Sequence, residues 1–332
     1  MSRKIFFMIL TLITIASAWV VTEQKSSTKE IKKEELLPDF LNKIEELQKI
    51  EMKTSTSRTE FIKLDSRWVS RDFDNFPLEE KHLRGFLLNI GRILKIEKKT
   101  NNVKQYKILG VEDIGKDSAG REYKFTSESG EILGNFIIGK PVSPKNGSRY
   151  YARQIGNPIS LIIESPLTDK INPVHWVDAG ILNVQSDEIN SIETFDGSKL
   201  DISLKKSSNS PFFKLVNTPE GYEEKNRRLV STFGSILTDL RFNTVLSKTR
   251  LAEKTAVRKI IFNTSLNFVI ELDDYRLGQQ IFTAINVRDE GSENKVAAQI
   301  KDKTENWIYA LPSYKRRVIE RKISEIISKS KK

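Results

Sequence analysis

From residue 123 the chain reads Tyr123-Lys124-Phe125, then Ile132-Leu133-Gly134-Asn135-Phe136-Ile137-Ile138, then Tyr150-Tyr151-Ala152-Arg153, then Ile159-Ser160-Leu161-Ile162-Ile163. Each piece is short, rich in β-branched and aromatic residues, and apolar at alternate positions or throughout. That is the pattern of strands with one or both faces buried. The separators are turn-forming: residues 139–148 hold Gly139, Pro141, Pro144 and Gly147, the composition of a hairpin loop. Parallel neighbours need a longer crossover, usually a helix, and no helical periodicity fits between these strands. The expected fold class is therefore α+β, with mixed, mainly antiparallel sheets and helices packed on them.

Upstream, Ile50 and Met52, residues 61–64 and residues 67–70 around Trp68 read as strands. Pro77 opens a helix whose apolar positions Leu83, Phe86, Leu87, Ile90 and Leu94 recur at three and four residues. Residues 95–100 leave it as a strand. An earlier helix begins at Pro38, with Leu37, Phe40, Leu41, Ile44 and Leu47 on one side and Asp39 near its positive end. Asn172-Pro173 supplies N-cap and first-turn chemistry for a closing helix through Trp176 and Leu182.

The second half follows the same order. Ile189 and Ile192 echo Ile50, and residues 200–204 and 212–216 read as strands. Leu229, Phe233, Ile236 and Leu240 line a helix, residues 268–272, 281–285, 296–300 and 307–311 complete the sheet, and a helix over 314–329 ends the chain. One offset links the halves: 229 − 83 = 146 takes Leu83 to Leu229. The same step takes Ile90 to Ile236, Leu94 to Leu240, Phe136 to Phe282, Ala152 to Ala298, Ile162 to Ile308 and Pro166 to Pro312. These positions are apolar or turn-forming, so the recurrence describes a scaffold. It predicts two tandem repeats, over 36–185 and 186–332.

The N-terminus carries a different signal. Arg3 and Lys4 precede an apolar run over residues 5–21, and the next charge is Glu23. A basic flank before such a run marks export, and its length approaches the roughly 17–25 residues that span a bilayer. Ala16-Ser17-Ala18 offers a cleavage site, while Trp19 suits an interfacial anchor. The expectation is a retained transmembrane helix over 1–22 and a polar linker over 23–35. The body then lies on the periplasmic or extracytoplasmic side of the inner membrane, with Arg3 and Lys4 inside. The net charge of +11 comes from 55 basic and 44 acidic residues scattered together. That balance favours anionic surfaces without selecting one.

Chemistry is sparse. With no cysteine, disulfides, thiolate metal sites and cysteine nucleophiles are excluded. The two histidines, His82 and His175, form no metal-ligand spacing. Gly139-Lys140 lacks the preceding glycines and following hydroxyl of a phosphate loop, and Pro141 removes a donor. The carboxylate pairs are Glu79-Glu80, suited to a helix first turn; Asp273-Asp274, read as a turn; and Glu112-Asp113, read as fixing a loop. Trp68, Tyr150, Tyr151, Trp176 and Trp307 offer a carbohydrate or peptide groove, though aromatics in alternating strands more often pack in cores. No catalytic residue, metal or cofactor is expected, and no nucleic-acid partner.

Several motifs occur together in order: Leu36-Leu37-Pro38-Asp39-Phe40-Leu41 with Ile50-Glu51, Leu94-Lys95-Ile96-Glu97, Tyr106, Leu109-Gly110-Val111-Glu112-Asp113, Ile138-Gly139-Lys140, and Asn172-Pro173 with Trp176. Together they resemble the bacterial domain-of-unknown-function family 4340, over most of the chain beyond residue 36. The resemblance implies an exported, membrane-anchored protein associated with gliding-motility-type ABC transport systems, with permease or auxiliary subunits as partners. It supplies no catalytic residues. The expected function is a non-enzymatic accessory component acting through protein–protein contacts. A periplasmic glycan- or peptidoglycan-binding module is the alternative class and a hydrolase the third.

In the C-terminal helix, Val318, Ile319, Ile323, Ile326 and Ile327 share one side, with Lys315, Arg316, Arg317, Arg321, Lys322 and Lys329 elsewhere around it. The simplest expectation is a closing helix, and the sharper one is a basic face that also meets anionic lipid. The anchor has its own test. The full-length protein is expected to stay with membranes after carbonate washing, and a soluble mature form beginning at Trp19 overturns the anchor.

Overall fold

The computed structural model describes residues 34–143, 148–167, 171–207, 210–289 and 294–330. Contacts divide the chain into two compact units that are discontinuous in sequence. Unit one holds 1–58 and 84–171, and unit two holds 59–83 and 172–332. Residues 59–83 therefore pack with the second unit. The expected anchor and most of the linker lie outside the described residues. Among those described, no helix is long and apolar enough to cross a membrane.

The first strands are β1 (Glu34–Glu35), β2 (Leu47–Lys53), β3 (Arg58–Leu64), β4 (Arg67–Ser70), β5 (Phe76–Pro77), β6 (Leu94–Lys98), β7 (Arg121–Ser127), β8 (Ile132–Pro141), β9 (Arg149–Gln154) and β10 (Ser160–Glu164). Next come β11 (Gly180–Leu182), β12 (Ile189–Asp196), β13 (Lys199–Lys206), β14 (Phe213–Leu215), β15 (Tyr222–Glu224) and β16 (Leu240–Arg241). The last are β17 (Thr244–Ser247), β18 (Arg258–Thr264), β19 (Phe268–Leu277), β20 (Gln280–Asp289), β21 (Trp307–Ala310) and β22 (Ile327–Lys329). The helices are α1 (Glu80–Gly91), α2 (Tyr106–Leu109), α3 (Arg227–Ser231), α4 (Lys295–Thr304), α5 (Ser313–Ile319) and α6 (Ile323–Ile326). The class is α+β, and the pairings within each unit are antiparallel.

Unit one orders its strands β1-β6-β10-β9-β8-β7-β2. β1, read as linker, pairs with β6 through Glu35 and Leu94. Tyr123 and Phe125 alternate onto one face of β7, where their rings stack with Phe136 at 5.5 and 6.3 Å. Phe86 of α1 meets both rings at 6.1 Å, and Phe40 meets Phe125 edge-on at 5.0 Å. The expected helix at Pro38 does not form. Asp39 takes a positive φ of 62°, a conformation that α-helices exclude. Leu37 and Phe40 are still buried, delivered by turns.

Unit two carries the meander β3-β4-β5 and an eight-stranded sheet ordered β14-β13-β12-β18-β19-β20-β21-β17. Phe233, Ile236, Phe262, Ile270 and Leu272 lie in its core. A second aromatic group joins Phe76, Phe242, Trp307 and Tyr309 at 4.8–5.5 Å. Residues 296–300, read as a strand, are helical in α4. Asn294 caps that helix by accepting from Val296 N and Ala297 N at 3.0 and 3.2 Å, and Ala297, Ile300 and Thr304 bury at helical spacing. The closing helix after Asn172 is a single 3-10 turn, Pro173–Trp176, although Asn172 does cap it by accepting from Val174 N.

The expected helix over 314–329 breaks into α5, α6 and β22. The break follows from hydrogen bonding: Arg321 O accepts from Arg258 at 2.8 Å, and Ile323 N donates to Asp201 at 3.3 Å. Three of the basic residues turn inward, while Arg317 and Lys329 are exposed. Lys315 Nζ donates to Ser235 O and Thr238 O at 2.5 and 2.6 Å, Arg316 forks onto Asp274 at 2.9 Å twice, and Arg321 reaches Thr232 at 2.9 Å. Lys322 meets Asp196 at 2.6 Å. Lys315, Arg316 and Arg321, read as part of a face meeting lipid, are thus committed to holding this segment on the sheet.

The two large sheets share a connection order. Taking the strands β2, β6, β7, β8, β9 and β10 as first to sixth, unit one reads second-sixth-fifth-fourth-third-first across the sheet. The strands β12, β17, β18, β19, β20 and β21 read the same way. The fixed offset of 146 follows this order only in part: Leu83 and Leu229 both stand in helices and Ile162 and Ile308 both in sixth strands. The starts of corresponding strands differ by 189 − 47 = 142 for the first pair and 280 − 149 = 131 for the fifth. Phe136 stands in a fourth strand and Phe282 in a fifth, while Ala152 is in a strand and Ala298 in α4. The offset has thus changed before α4 is reached, and the insertion of α4 between β20 and β21 then brings the sixth pair to 307 − 160 = 147.

Within unit two, Arg250 Nε and Nη2 both donate to the Asp74 carboxylate, which also accepts from Ser247 N at 3.1 Å. The Arg250 hydrogen bond is the largest influence on Asp74 and holds its carboxyl below the usual 3.8, against the opposing effect of burial. A depressed carboxyl stabilises the fold above the unfolded value and loses that contribution as pH falls through the folded one. Asp74→Asn is expected to cost on the order of 1 kcal/mol at pH 7, after discounting for the half-exposed Arg250. The difference from wild type should shrink below about pH 3.8 in urea unfolding curves, as protonation removes the ion pair from the wild type as well.

Candidate functional site

The Leu109–Asp113 motif lies on a tight turn in unit one. Asn102 accepts from Lys104 N at 3.1 Å and starts a 3-10 turn, Val103–Gln105, that runs into α2. Gly110 ends α2 at φ 71°, a left-handed conformation that glycine adopts without penalty. The turn sits against β8 at van der Waals distance from its backbone. A Cβ on Gly139 would lie 2.4 Å from Leu109 O and 2.7 Å from Gly110 O, and one on Gly120 would lie 2.5 Å from Gly110 O. Gly139 does not end its strand as the sequence reading had it. It lies within β8 because no side chain fits there.

Three basic side chains then pin the turn by its carbonyls. Lys140 Nζ donates to Ile108 O at 3.0 Å, Arg153 Nε to Val111 O at 2.8 Å, and Lys53 Nζ to Ile114 O at 3.2 Å. Helix ends and turns leave carbonyls without backbone donors, and cations are their strongest partners. Lys140, rejected as a phosphate-loop lysine, has this structural job.

Arg153 is the centre of the site. It is 7% exposed, it pairs through Nη2 with Asp113 Oδ1, and its guanidinium lies 5.0 Å over the Tyr106 ring. Tyr106 in turn donates its hydroxyl to Pro158 O. Glu112 is half-buried, and its Oε2 is buried with no hydrogen-bond partner. Beside these groups opens a groove of about 490 Å³ lined by Val103, Tyr106, Glu112, Arg153, Asn157 and Pro158. Val103 and Ile108 at the turn are 69% and 68% exposed. The set offers an apolar floor, the compensated Arg153, the exposed Lys107 and one unsatisfied acceptor. That suits binding.

The other sequence candidates are placed elsewhere. His82 faces Glu79 at 3.3 Å at the start of α1. Among the described residues no group of three or more His, Asp or Glu is arranged to hold a metal. Asp273 and Asp274 are not a turn: both are buried within β19, and the turn is at Gly278, φ 61°. Burial raises the Asp273 carboxyl, against the pull of Lys259 at 3.4 Å. Trp176 is buried 5.2 Å from Phe61 and Trp307 packs 4.8 Å from Phe76, so these aromatics serve cores. Arg153 and Gly120 were missed. The available signal was a charged residue at the end of the apolar run Tyr150-Tyr151-Ala152.

A family model described as "Domain of unknown function (DUF4340)" matches residues 68–258, more than half of the chain. The chain belongs to that family. The matched segment contains the turn, the three glycines and Arg153. No curated protein and no solved structure matches the chain.

The glycine contacts make a direct test. Gly139→Ala and Gly120→Ala are each expected to cost about 1–3 kcal/mol through overpacking against backbone. Gly115→Ala, with nothing within 4 Å of its Cβ, should stay within about 0.5 kcal/mol of wild type. Denaturant unfolding of the three variants checks the contrast.

Proposed function

We propose that this chain is a membrane-anchored, extracytoplasmic, non-enzymatic accessory component of an ABC-transporter-like assembly, of the type tied to gliding motility, and that it works through protein–protein contacts. The apolar run over 5–21 serves as the anchor and lies outside the described residues. The partnership with permease or auxiliary subunits comes from the family resemblance. One observation carries the contact reading: Val103 stands open to solvent at the groove beside Arg153, and Ile108 stands open on the same turn. Single exposed apolar residues are ordinary, but two on one short turn, one of them lining a groove, offer the kind of apolar surface that partners cover. The chemistry around them supports this, because Arg153 is spent on Val111 and Asp113 and supplies position rather than reactivity.

A duplicated body belongs to the same proposal. The common strand order suits two copies of one scaffold that have since diverged in their connections, as at α4.

Affinity isolation of the full-length protein from detergent-solubilised membranes is expected to recover permease or auxiliary subunits. Val103→Asp combined with Ile108→Asp should lose them at unchanged thermal stability, because both side chains already face water. Recovery of the chain alone overturns the assembly reading. Undiminished recovery by the double variant moves the contact elsewhere.

A further inference from the structure

We propose that the groove beside Arg153 receives a peptide segment of the partner in which a lysine or arginine is flanked by apolar residues, with Glu112 accepting the cationic head. This rests on the protein-contact reading above and names what that surface would recognise.

The argument is one of unmet bonding. Arg153 looks at first like the anchor for an anionic ligand. Its Nε is already held by Val111 O at 2.8 Å, its Nη2 by Asp113, and its face by Tyr106 at 5.0 Å. It is nearly buried, and its charge is compensated by a carboxylate that is itself 84% exposed. An anionic group would have to compete with Asp113 for it. Glu112 is the reverse case. Its Oε2 is buried and has no donor, and a carboxylate is acceptor-only when ionised. A buried, unpaired carboxylate oxygen is unfavourable in the free protein, so a ligand donor that reaches it gains more than it would from a solvated one. The groove thus asks for a hydrogen-bond donor, and a charged donor makes the stronger bond.

The rest of the lining sets the flanks. Val103, Pro158 and the Tyr106 ring present apolar surface, and the Val103 side is open. A long aliphatic stem with a cationic tip matches this, the stem lying along apolar surface and the tip reaching the polar group. Lys107 also lines the groove, but it is exposed and can turn away into solvent. Because Oε2 is covered in the free protein, the head is met by a rotation of the Glu112 side chain.

The test uses the full-length chain in nanodiscs of zwitterionic lipid, with empty discs as control. Three fluorescein-labelled pentapeptides carry Lys, Gln or Glu between two pairs of valines. Anisotropy is expected to rank Lys over Gln by about tenfold, the scale of one charge-assisted bond, with Glu weakest. Glu112→Gln should bring the Lys peptide down to the Gln level while leaving thermal stability unchanged. Tightest binding by the Glu peptide overturns the proposal in favour of Arg153 as the recognition group. An unchanged ranking in Glu112→Gln overturns it as well. If Glu112→Gln keeps membrane partners that Val103→Asp with Ile108→Asp loses, the contact reading stands and the assignment of a cationic segment falls.

Discussion

In both large sheets the second strand hydrogen-bonds to the sixth, so the first and second strands lie on opposite sides of the intervening meander. That pairing governs much else. Five strand intervals at about 4.8 Å separate the first strand from the second, roughly 24 Å that no tight turn can bridge. The connection must travel, and it carries helical segments as it does. In unit one it returns through α1, whose Phe86, Leu87 and Ile90 bury. In unit two it contains α3 and the 3-10 turn Thr232–Ser235, with Val230 and Phe233 buried. The meander of unit one needs only hairpins, which is why its strands follow one another so closely in sequence, whereas α4 stands between the last two meander strands of unit two.

The same economy shows in the charges. Buried ions are costly unless paired and hydrogen-bonded, and unit two satisfies Asp274 with both arms of Arg316 and with Thr283 Oγ1 at 2.7 Å. Burial depresses Lys315, yet two carbonyls hold its ammonium at the end of the 3-10 turn. In unit one, Lys53, Lys140 and Arg153 do the corresponding work on one short turn. Glu112 departs from that pairing beside the groove, where its Oε2 is buried with no hydrogen-bond partner.

Strands were legible where the period was two and the turns were marked. Residues 67–70 were read with the bounds they have, and β7 to β10 were found in order. Helices fared worse. Val296-Ala297-Ala298 with Ile300 satisfies a strand or a helix by composition alone, and the deciding fact was which positions buried: Ala297, Ile300 and Thr304. The apolar spacing after Pro38 was real, but Asp39 at positive φ let turns bury the same residues. The recurrence at 146 residues matched side-chain types across units whose strand spacings differ, so Ile162 and Ile308 fell in like strands while Phe136 and Phe282, or Ala152 and Ala298, fell in unlike elements.

By itself the amino-acid sequence determined the α+β class, the antiparallel meanders, the absence of cysteine chemistry and the family, because these depend on periodicity, composition and motif order. It also marked Gly110-Val111-Glu112-Asp113 as a turn worth noticing. Only the tertiary structure decided that Gly139 and Gly120 exist to admit that turn, that Arg153 is spent on it, and that Glu112 is left without a donor. It also showed that Lys315, Arg316 and Arg321 of the C-terminal segment point into the fold. Each of these is a matter of which groups come within hydrogen-bonding or van der Waals range across 10 to 80 positions of chain, and local sequence carries no record of such distances.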